Sequence, residues 1–314
     1  MKWTTPSKLR RQGILGMNSR NVDFIGRSND RHLYPLVDNK LKTKKAALQL
    51  GMSVPSLIGV IETQHDVKLL KQRLGDVKQF VIKPAQGSGG KGILVITDRQ
   101  GDHYIKTSSA KLNFRGIERH TSNILSGLYS LGGRTDVAMI EALISFDPAL
   151  SKYTYEGVPD IRVIIYHGYP VMAMMRCSTH ASDGKANLHQ GAVGVGIDIA
   201  YGHSLYAVQN DRIIEKHPDT DCHFHDIKLA NWDKVLQLAS SCYEMTKLGY
   251  FGADIVLDKK KGPVILELNA RPGLAIQMAN QTGLKKRLKA IDNLCQQNLS
   301  VDKRIQLAQH LFSN

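Results

Sequence analysis

The segment FVIKPAQGSGGKGILVI, residues 80–96, holds four glycines within six positions. They are Gly87, Gly89, Gly90 and Gly92, with Lys83 before them and Lys91 among them. Glycine reaches backbone dihedrals closed to other residues and lets main-chain N–H groups come close to a ligand. Successive free N–H groups in a turn form a concavity for anions, and flanking ammonium groups add charge. The chemistry on offer is therefore the holding of a phosphate chain. The phosphate loop ending in Gly-Lys-Ser/Thr is excluded, because Gly92 follows Lys91 and Ala85 stands where its first glycine would be. The dinucleotide fingerprint is excluded too, since GILVIT reads as a strand where a helix would have to begin. What remains is another kind of phosphate clamp, or a glycine-rich hairpin with no ligand.

A second group of polar residues sits in GADIVLDKKKGPVILELNARPG. Asp254 lies on one expected strand; Glu267 and Asn269 lie two apart on the next and face one side. Their oxygens suit magnesium, which takes carboxylate, phosphate and water ligands. A charge on an apolar strand is costly unless paired or metal-bound. The plainer alternatives are a turn cap for Asp254 and a lysine partner for Glu267. Arg162 and Arg176 sit in DIRVIIYHGYPVMAMMR. Arginine grips phosphate or carboxylate with two parallel hydrogen bonds, or here pairs with Asp160 or Glu156. Asn187, His189 and Gln190 share NLHQGAVG, where a glycine suggests close backbone approach. In HPDTDCHFHD, His217, Cys222, His223 and His225 offer either a zinc set or a solvated insertion.

These residues need elements to hold them. LVDNKLKTKKAALQLG, 36–51, reads as a helix capped by Asp38 or Asn39 and stopped by Gly51. VPSLIGVI is extended, a short helix is expected near 65–74, and FVIKP and GILVIT are strands flanking the glycine loop. NILSGLYSLGG reads as a helix closed by paired glycines, and VAMIEALI as a strand. DIRVIIY and YPVMAMMR are strands around a turn at His167–Gly168, and 181–199 reads mostly as loop. The apolar spacing of Trp232, Val235, Leu236, Ala239, Cys242 and Tyr243 predicts an amphipathic helix over 230–248. GADIVLD and GPVILELN form a strand pair, and a basic helical tail follows from Leu284.

Composition bounds the function classes. With 314 residues the chain can bury a sizeable core in two lobes. The formal charge of +14 favours anionic partners without choosing among them. No apolar run suits a membrane-spanning helix, and MKWTTPSKLRRQG lacks the apolar stretch of a secretory signal. Cys177, Cys222, Cys242 and Cys295 form no paired-cysteine motif, which fits a reducing, cytoplasmic setting.

Taken in order, the motifs from about Leu36 to Ala275 resemble the ATP-grasp superfamily of carboxylate–amine ligases, with the α-L-glutamate ligase family as the branch they are most similar to. The resemblance implies an α+β fold in which two lobes clamp a nucleotide. It implies a short basic N-terminal region over 1–39 in place of the usual preceding domain. A small lobe over 40–140, a large lobe over 141–283 and a helical tail over 284–314 follow. Lys40, with Lys44 as second choice, and Lys83 would be the nucleotide lysines. Gln86, Gly87, Ser88, Gly89, Gly90, Lys91 and Gly92 would cover the β- and γ-phosphates. Glu141, Ala142 and Leu143 would read the adenine edge, and Asp147 would hold the ribose. Asp254, Glu267 and Asn269 would bind magnesium, with manganese as a substitute. Arg176, Asn187 and Arg271 would be catalytic, and Arg162, His189 and Arg271 would meet substrate.

The reaction so implied is amide formation through an acyl phosphate, with glutamate or an acidic peptide as the activated acid and an amine acceptor left unnamed. The alternatives are a nucleic-acid-binding or regulatory protein on a non-catalytic shell, and a small-molecule kinase on the same scaffold. For the first of these the sequence offers charge alone and no recognition motif. Oligomeric state is left open, a homo-oligomer included.

Overall fold

The phosphate-loop candidate joins two strands of a six-stranded antiparallel sheet. The computed structural model describes residues 4–87, 89–294 and 298–313. The chain divides into a smaller unit, Asn39–Lys44 with Val54–Ser145, and a larger unit, Met1–Asp38 with Lys45–Ser53 and Phe146–Asn314. The N-terminal stretch and the C-terminal tail both fall in the larger unit.

The smaller unit holds β1 (Leu57–Ile61), β2 (Phe80–Pro84), β3 (Leu94–Gln100), β4 (His103–Lys106), β5 (Lys111–Asn113) and β6 (Ala138–Ala142). Their order is β1-β6-β2-β3-β4-β5. Alternation along the strands gives the sheet two different faces. Phe80, Ile82, Leu94, Ile96 and Ile140 point into a core shared with Leu70, Leu74, Ile117 and Ile124. Val81, Lys83, Met139 and Glu141 occupy the opposite face. The helix expected near 65–74 forms as two pieces, Gln64–Lys68 and Leu70–Leu74, the first closed by a Thr63–Asp66 capping box. The next helix is Phe114–Leu125 and does not begin at Asn123. Asn113 caps it by accepting from the Gly116 N–H, and Ile117, Thr121, Ile124 and Leu125 supply its buried stripe. The segment after it, through Asp136, carries a bridge at Ser130 and a 3-10 turn at Leu131–Gly133.

The larger unit holds β7 (Asp160–Tyr166), β8 (Tyr169–Cys177), β9 (Val193–Ile197), β10 (Ser204–Gln209), β11 (Arg212–Ile214), β12 (Tyr250–Asp258) and β13 (Gly262–Asn269). The order is β11-β10-β9-β8-β7-β12-β13, again antiparallel throughout. His167 and Gly168, at φ +48 and +80, make the expected two-residue turn between β7 and β8. Helices Trp232–Thr246, Leu284–Asp292 and Val301–Phe312 pack on the sheet through residues such as Val235, Ala239, Leu288, Ile291 and Ile305. Asn29 ties the N-terminal stretch to β12: its Nδ2 donates to the Tyr250 carbonyl at 2.7 Å and its Oδ1 accepts from the Tyr250 N–H at 2.8 Å.

The fully buried strand β9 falls within 181–199, which reads mostly as loop in the sequence. Its sequence VGVGI interrupts the strand formers Val193, Val195 and Ile197 with two glycines, where the backbone must approach its neighbours closely. A Cβ on Gly196 would lie 2.1 Å from the Ala279 carbonyl oxygen. Gly196→Ala should therefore lower stability by about 1–3 kcal/mol through overpacking, read as a reduced urea midpoint with an unchanged m-value.

Candidate functional site

On the smaller unit, Lys83 stands opposite Met139 and Val81 opposite Glu141 in the β2–β6 ladder. Cross-strand partners share a face, so Lys83 and Glu141 project together, away from the Phe80–Ile82 core. Lys83 Nζ lies 2.7 Å from Glu141 Oε2, and Lys44 Nζ lies 3.0 Å from Glu141 Oε1. The Lys44 ammonium also donates to the Pro55 carbonyl. All three side chains are buried. Burial pushes the Glu141 carboxyl up, but Lys83 and Lys44 overcome that push and hold it below its ordinary value. Two cations around one anion leave an excess positive charge with little water to screen it. Lys40 takes a different post: its Nζ donates to the Gly87 carbonyl at 2.6 Å and its backbone N–H to the Ala85 carbonyl at 2.8 Å. Lys44, the second choice from the motif, thus joins Lys83 at Glu141, while Lys40 holds the root of the loop.

The loop itself has Gly89, Gly90 and Gly92 at φ +62, +75 and +75. Gln86, Gly89, Gly90 and Lys91 are exposed, and Gly87 is buried and bridged to Ser130. Ser88 lies outside the described residues, as does Cys295. At the end of β6 the Ala142 N–H donates to the Ser56 carbonyl, and Leu143 is half-buried.

On the larger unit, β7, β8 and β12 bring four charged side chains into a row. Asp254 faces Arg162 across the β7–β12 ladder, and Asp160 faces Arg176 across the β7–β8 ladder. Arg162 grips Asp254 with two hydrogen bonds of 2.7 and 2.6 Å. Arg176 grips Asp160 at 2.5 and 2.7 Å and reaches Asp254 at 2.6 Å. Burial pushes Asp254 up, but the two guanidinium groups prevail and hold it well below the usual carboxylate range. Burial pushes Asp160 up; Arg176 opposes the rise and the Asp254 charge adds to it.

Glu267 lies opposite Asp254 on β13 and is half-buried, as is Asn269 two residues on. Asn269 Oδ1 accepts from the Arg271 N–H at 2.8 Å. The Arg271 guanidinium lies over the Tyr34 ring, 5.6 Å from its centre. Asp147 accepts from the Ala149 N–H and caps the turn that follows. Asn187 accepts from the exposed His189 N–H.

For magnesium the half-buried pair Glu267 and Asn269 fits as a partial oxygen set, of the kind that leaves further positions to water and phosphate. Asp254 is expected as a third ligand; in the structure both its oxygens accept from arginines. Among the described residues no group of three or more His, Cys, Asp or Glu is placed to hold a metal. The zinc alternative at 217–225 loses its first ligand in particular. His217 is buried, its Nδ1 accepts from the Asp219 N–H, and its Nε2 then donates to the Ser178 carbonyl.

The profile of the sugar-transfer associated ATP-grasp family matches residues 19–293. The chain belongs to that family. The superfamily is the one the spaced motifs resemble, and the family within it is the sugar-transfer associated one, where the motifs alone favour the glutamate-ligase branch. No curated protein matches at a significant level. Among solved structures, the D-cycloserine synthetase DcsG superposes with a TM-score of 0.50 at 12% identity, covering 88% of this chain and 79% of that one. The ATP-grasp ligase PsnB, complexed with its minimal precursor, superposes at 0.44 with 15% identity over 84% of this chain and 62% of that one. D-alanine–D-alanine ligase from Bacillus anthracis, complexed with ATP, gives 0.42, 16%, 87% and 66%. The chain thus spans about three fifths of the length of PsnB. The likeness to DcsG bears on fold, and the ATP-grasp fold is the one observed.

The buried cluster yields a stability prediction. Glu141→Gln would leave two ammonium groups buried around a neutral amide, and should cost about 3–5 kcal/mol at neutral pH. Because the folded-state pKa lies below the ordinary 4.5, the stabilisation is complete above that value and lost as pH falls through the lowered pKa. Urea unfolding of wild type and variant should show the widest gap near neutrality and a narrowing gap on acidification.

Proposed function

We propose that this chain is an ATP-dependent carboxylate–amine ligase working through an acyl phosphate. The observation that carries the reading is the buried Lys44–Glu141–Lys83 cluster, whose Lys83 lies on β2 three residues before the glycine loop begins at Gln86. A site with surplus positive charge beside main-chain amides suits a polyphosphate. Membership of an ATP-grasp family supports ATP as that polyphosphate.

In this reading Lys83 and Lys44 bind phosphate oxygens, and Glu141 holds both ammonium groups in place. The loop from Gln86 to Gly92 lays its amides along the β- and γ-phosphates and limits water. Ala142 and Leu143 present backbone groups to the base, and Asp147 a carboxylate oxygen to the ribose. Magnesium, held by Glu267 and Asn269, would neutralise phosphate charge when bound. Asp254 anchors Arg162 and Arg176, so that Arg176 offers its guanidinium to the phosphoryl group in flight. Arg271, Arg162 and His189 address the carboxylate substrate, and Asn187 the reacting groups.

The substrate carboxylate oxygen attacks the γ-phosphorus and ADP departs. An amine nitrogen then attacks the acyl carbon, phosphate leaves, and the nitrogen loses a proton. Positioning and electrostatics do the work, with no side-chain nucleophile. Glutamate or a short acidic peptide is the acid we favour, on the strength of the +14 charge and the arginines at Arg162 and Arg271.

Two outcomes test this. Purified protein given magnesium-ATP with pools of amino acids and peptides should release ADP and yield a new amide mass. A phosphorylated product without an amide would favour a kinase, and ADP release that no acid–amine pair stimulates would sink the ligase reading. Glu267→Ala should cut ATP turnover at least ~100-fold, since a ligand should matter no less than its outer-shell partners, with an unchanged unfolding midpoint. Full turnover in that variant would remove Glu267 from the site.

A further inference from the structure

The glycine loop is held at both ends by one segment, residues 120–136, that the motifs leave unassigned. At the loop's start Asp136 is buried, and its carboxylate accepts from several donors. Oδ1 takes the Gln86 N–H at 3.2 Å and the Val137 N–H at 2.7 Å; Oδ2 takes the Gln86 N–H at 3.0 Å and the Ser130 hydroxyl. The neighbouring Ala85 N–H donates to the Val137 carbonyl at 2.9 Å, and Gly87 bridges to Ser130. At the loop's end, His120 Nε2 lies 3.0 Å from the Gly92 carbonyl. A Cβ on Gly92 would lie 2.5 Å from the Tyr129 ring, so the backbone there rests on the tyrosine. Between these two grips Gly89, Gly90 and Lys91 are exposed.

We infer that Asp136 is a positioning residue for the phosphate loop, clasping the first loop peptide to the strand that carries Glu141. Val137 begins the run into β6, so one carboxylate fixes the loop's first amide and the start of that strand together. The loop amides are thereby set in register with Lys83 and Glu141 before any ligand arrives. A carboxylate suits this task because every group facing it is a donor. It is the wrong sign to touch phosphate, and it acts through the amide of Gln86. An open cavity of about 470 Å³ lies against the clasp, lined in part by Gln86, Thr135, Asp136 and Ser126. Water therefore has access to this side of the loop root, while Ala85 beside it is packed against Leu41 and Met139.

Asp136→Asn keeps the shape but turns an amide N–H₂ toward groups that donate, so part of the clasp is lost. The inference rests on the nucleotide reading above, and the test separates the two. Hydrogen exchange on the full chain without nucleotide should be faster in D136N across peptides spanning 85–93, with exchange across 160–177 unchanged. The KM for magnesium-ATP should rise about tenfold or more, with kcat less affected, because the amides are misplaced rather than removed. Ser130→Ala removes one donor only, serves if D136N fails to fold, and should shift both readouts in the same direction by less. Unchanged exchange at 85–93 in both variants would overturn the clasp, as would an increase spread evenly over the whole smaller unit. If wild type binds no magnesium-ATP, the nucleotide reading falls, and the exchange measurement still decides whether Asp136 holds the loop.

Discussion

A carboxylate shut away from water survives as an anion only where cations meet it with good geometry. The larger sheet is arranged around that requirement. Asp254 is fully buried on β12, and its oxygens are reached from β7 by Arg162 and from β8 by Arg176. Arg176 in turn is held by Asp160, back on β7. The four groups span three adjacent strands and bind them side by side. A slip of one residue would send an arginine to the opposite face and leave a charge unpaired. The same row therefore specifies strand register and presents a guanidinium whose direction is already settled.

The smaller sheet solves a related problem with the balance reversed. Here one glutamate serves two lysines, so the cluster keeps a surplus of positive charge. A sheet face that holds such a surplus is poorly suited to be core. It is well suited to await an anion; the main hydrophobic core of this unit lies on the Phe80–Ile82 side, and only the small cluster of Leu41, Ala85 and Met139 packs on the other. Glu141 thus has two duties that cannot be separated: it makes the lysines tolerable in the fold, and it fixes where their charge points.

Much of this arrangement is legible in the residues alone. Charged side chains inside apolar runs, Lys83, Arg162, Arg176, Asp254 and Glu267, stand out because burial would make them expensive. The strands that hold them carry the β-branched residues that strands prefer, and the turn at His167–Gly168 is marked by its glycine. Other parts leave little trace. Strand β9 is hidden by glycines that serve close packing, and the helix at Phe114 starts upstream because Asn113 caps it. Choosing between Lys40 and Lys44 needs the direction of each side chain, four residues apart on one helix. Asp136 is silent in sequence, since no spacing rule links it to the Gln86 and Val137 N–H groups and the Ser130 hydroxyl that it accepts from.

The strap made by Asn29 has a consequence for the order in which the molecule can assemble. The Asn29 side chain bonds to Tyr250, and the Leu15 backbone bonds to the Gln277 side chain. The N-terminal stretch of the larger unit thus lacks these long-range partners until Tyr250 and Gln277 have been made. All six strands of the smaller unit lie between Leu57 and Ala142, so its sheet can close while the other is still being made. The lysine cluster and the glycine loop belong to the portion completed first, and the arginine row to the portion completed last.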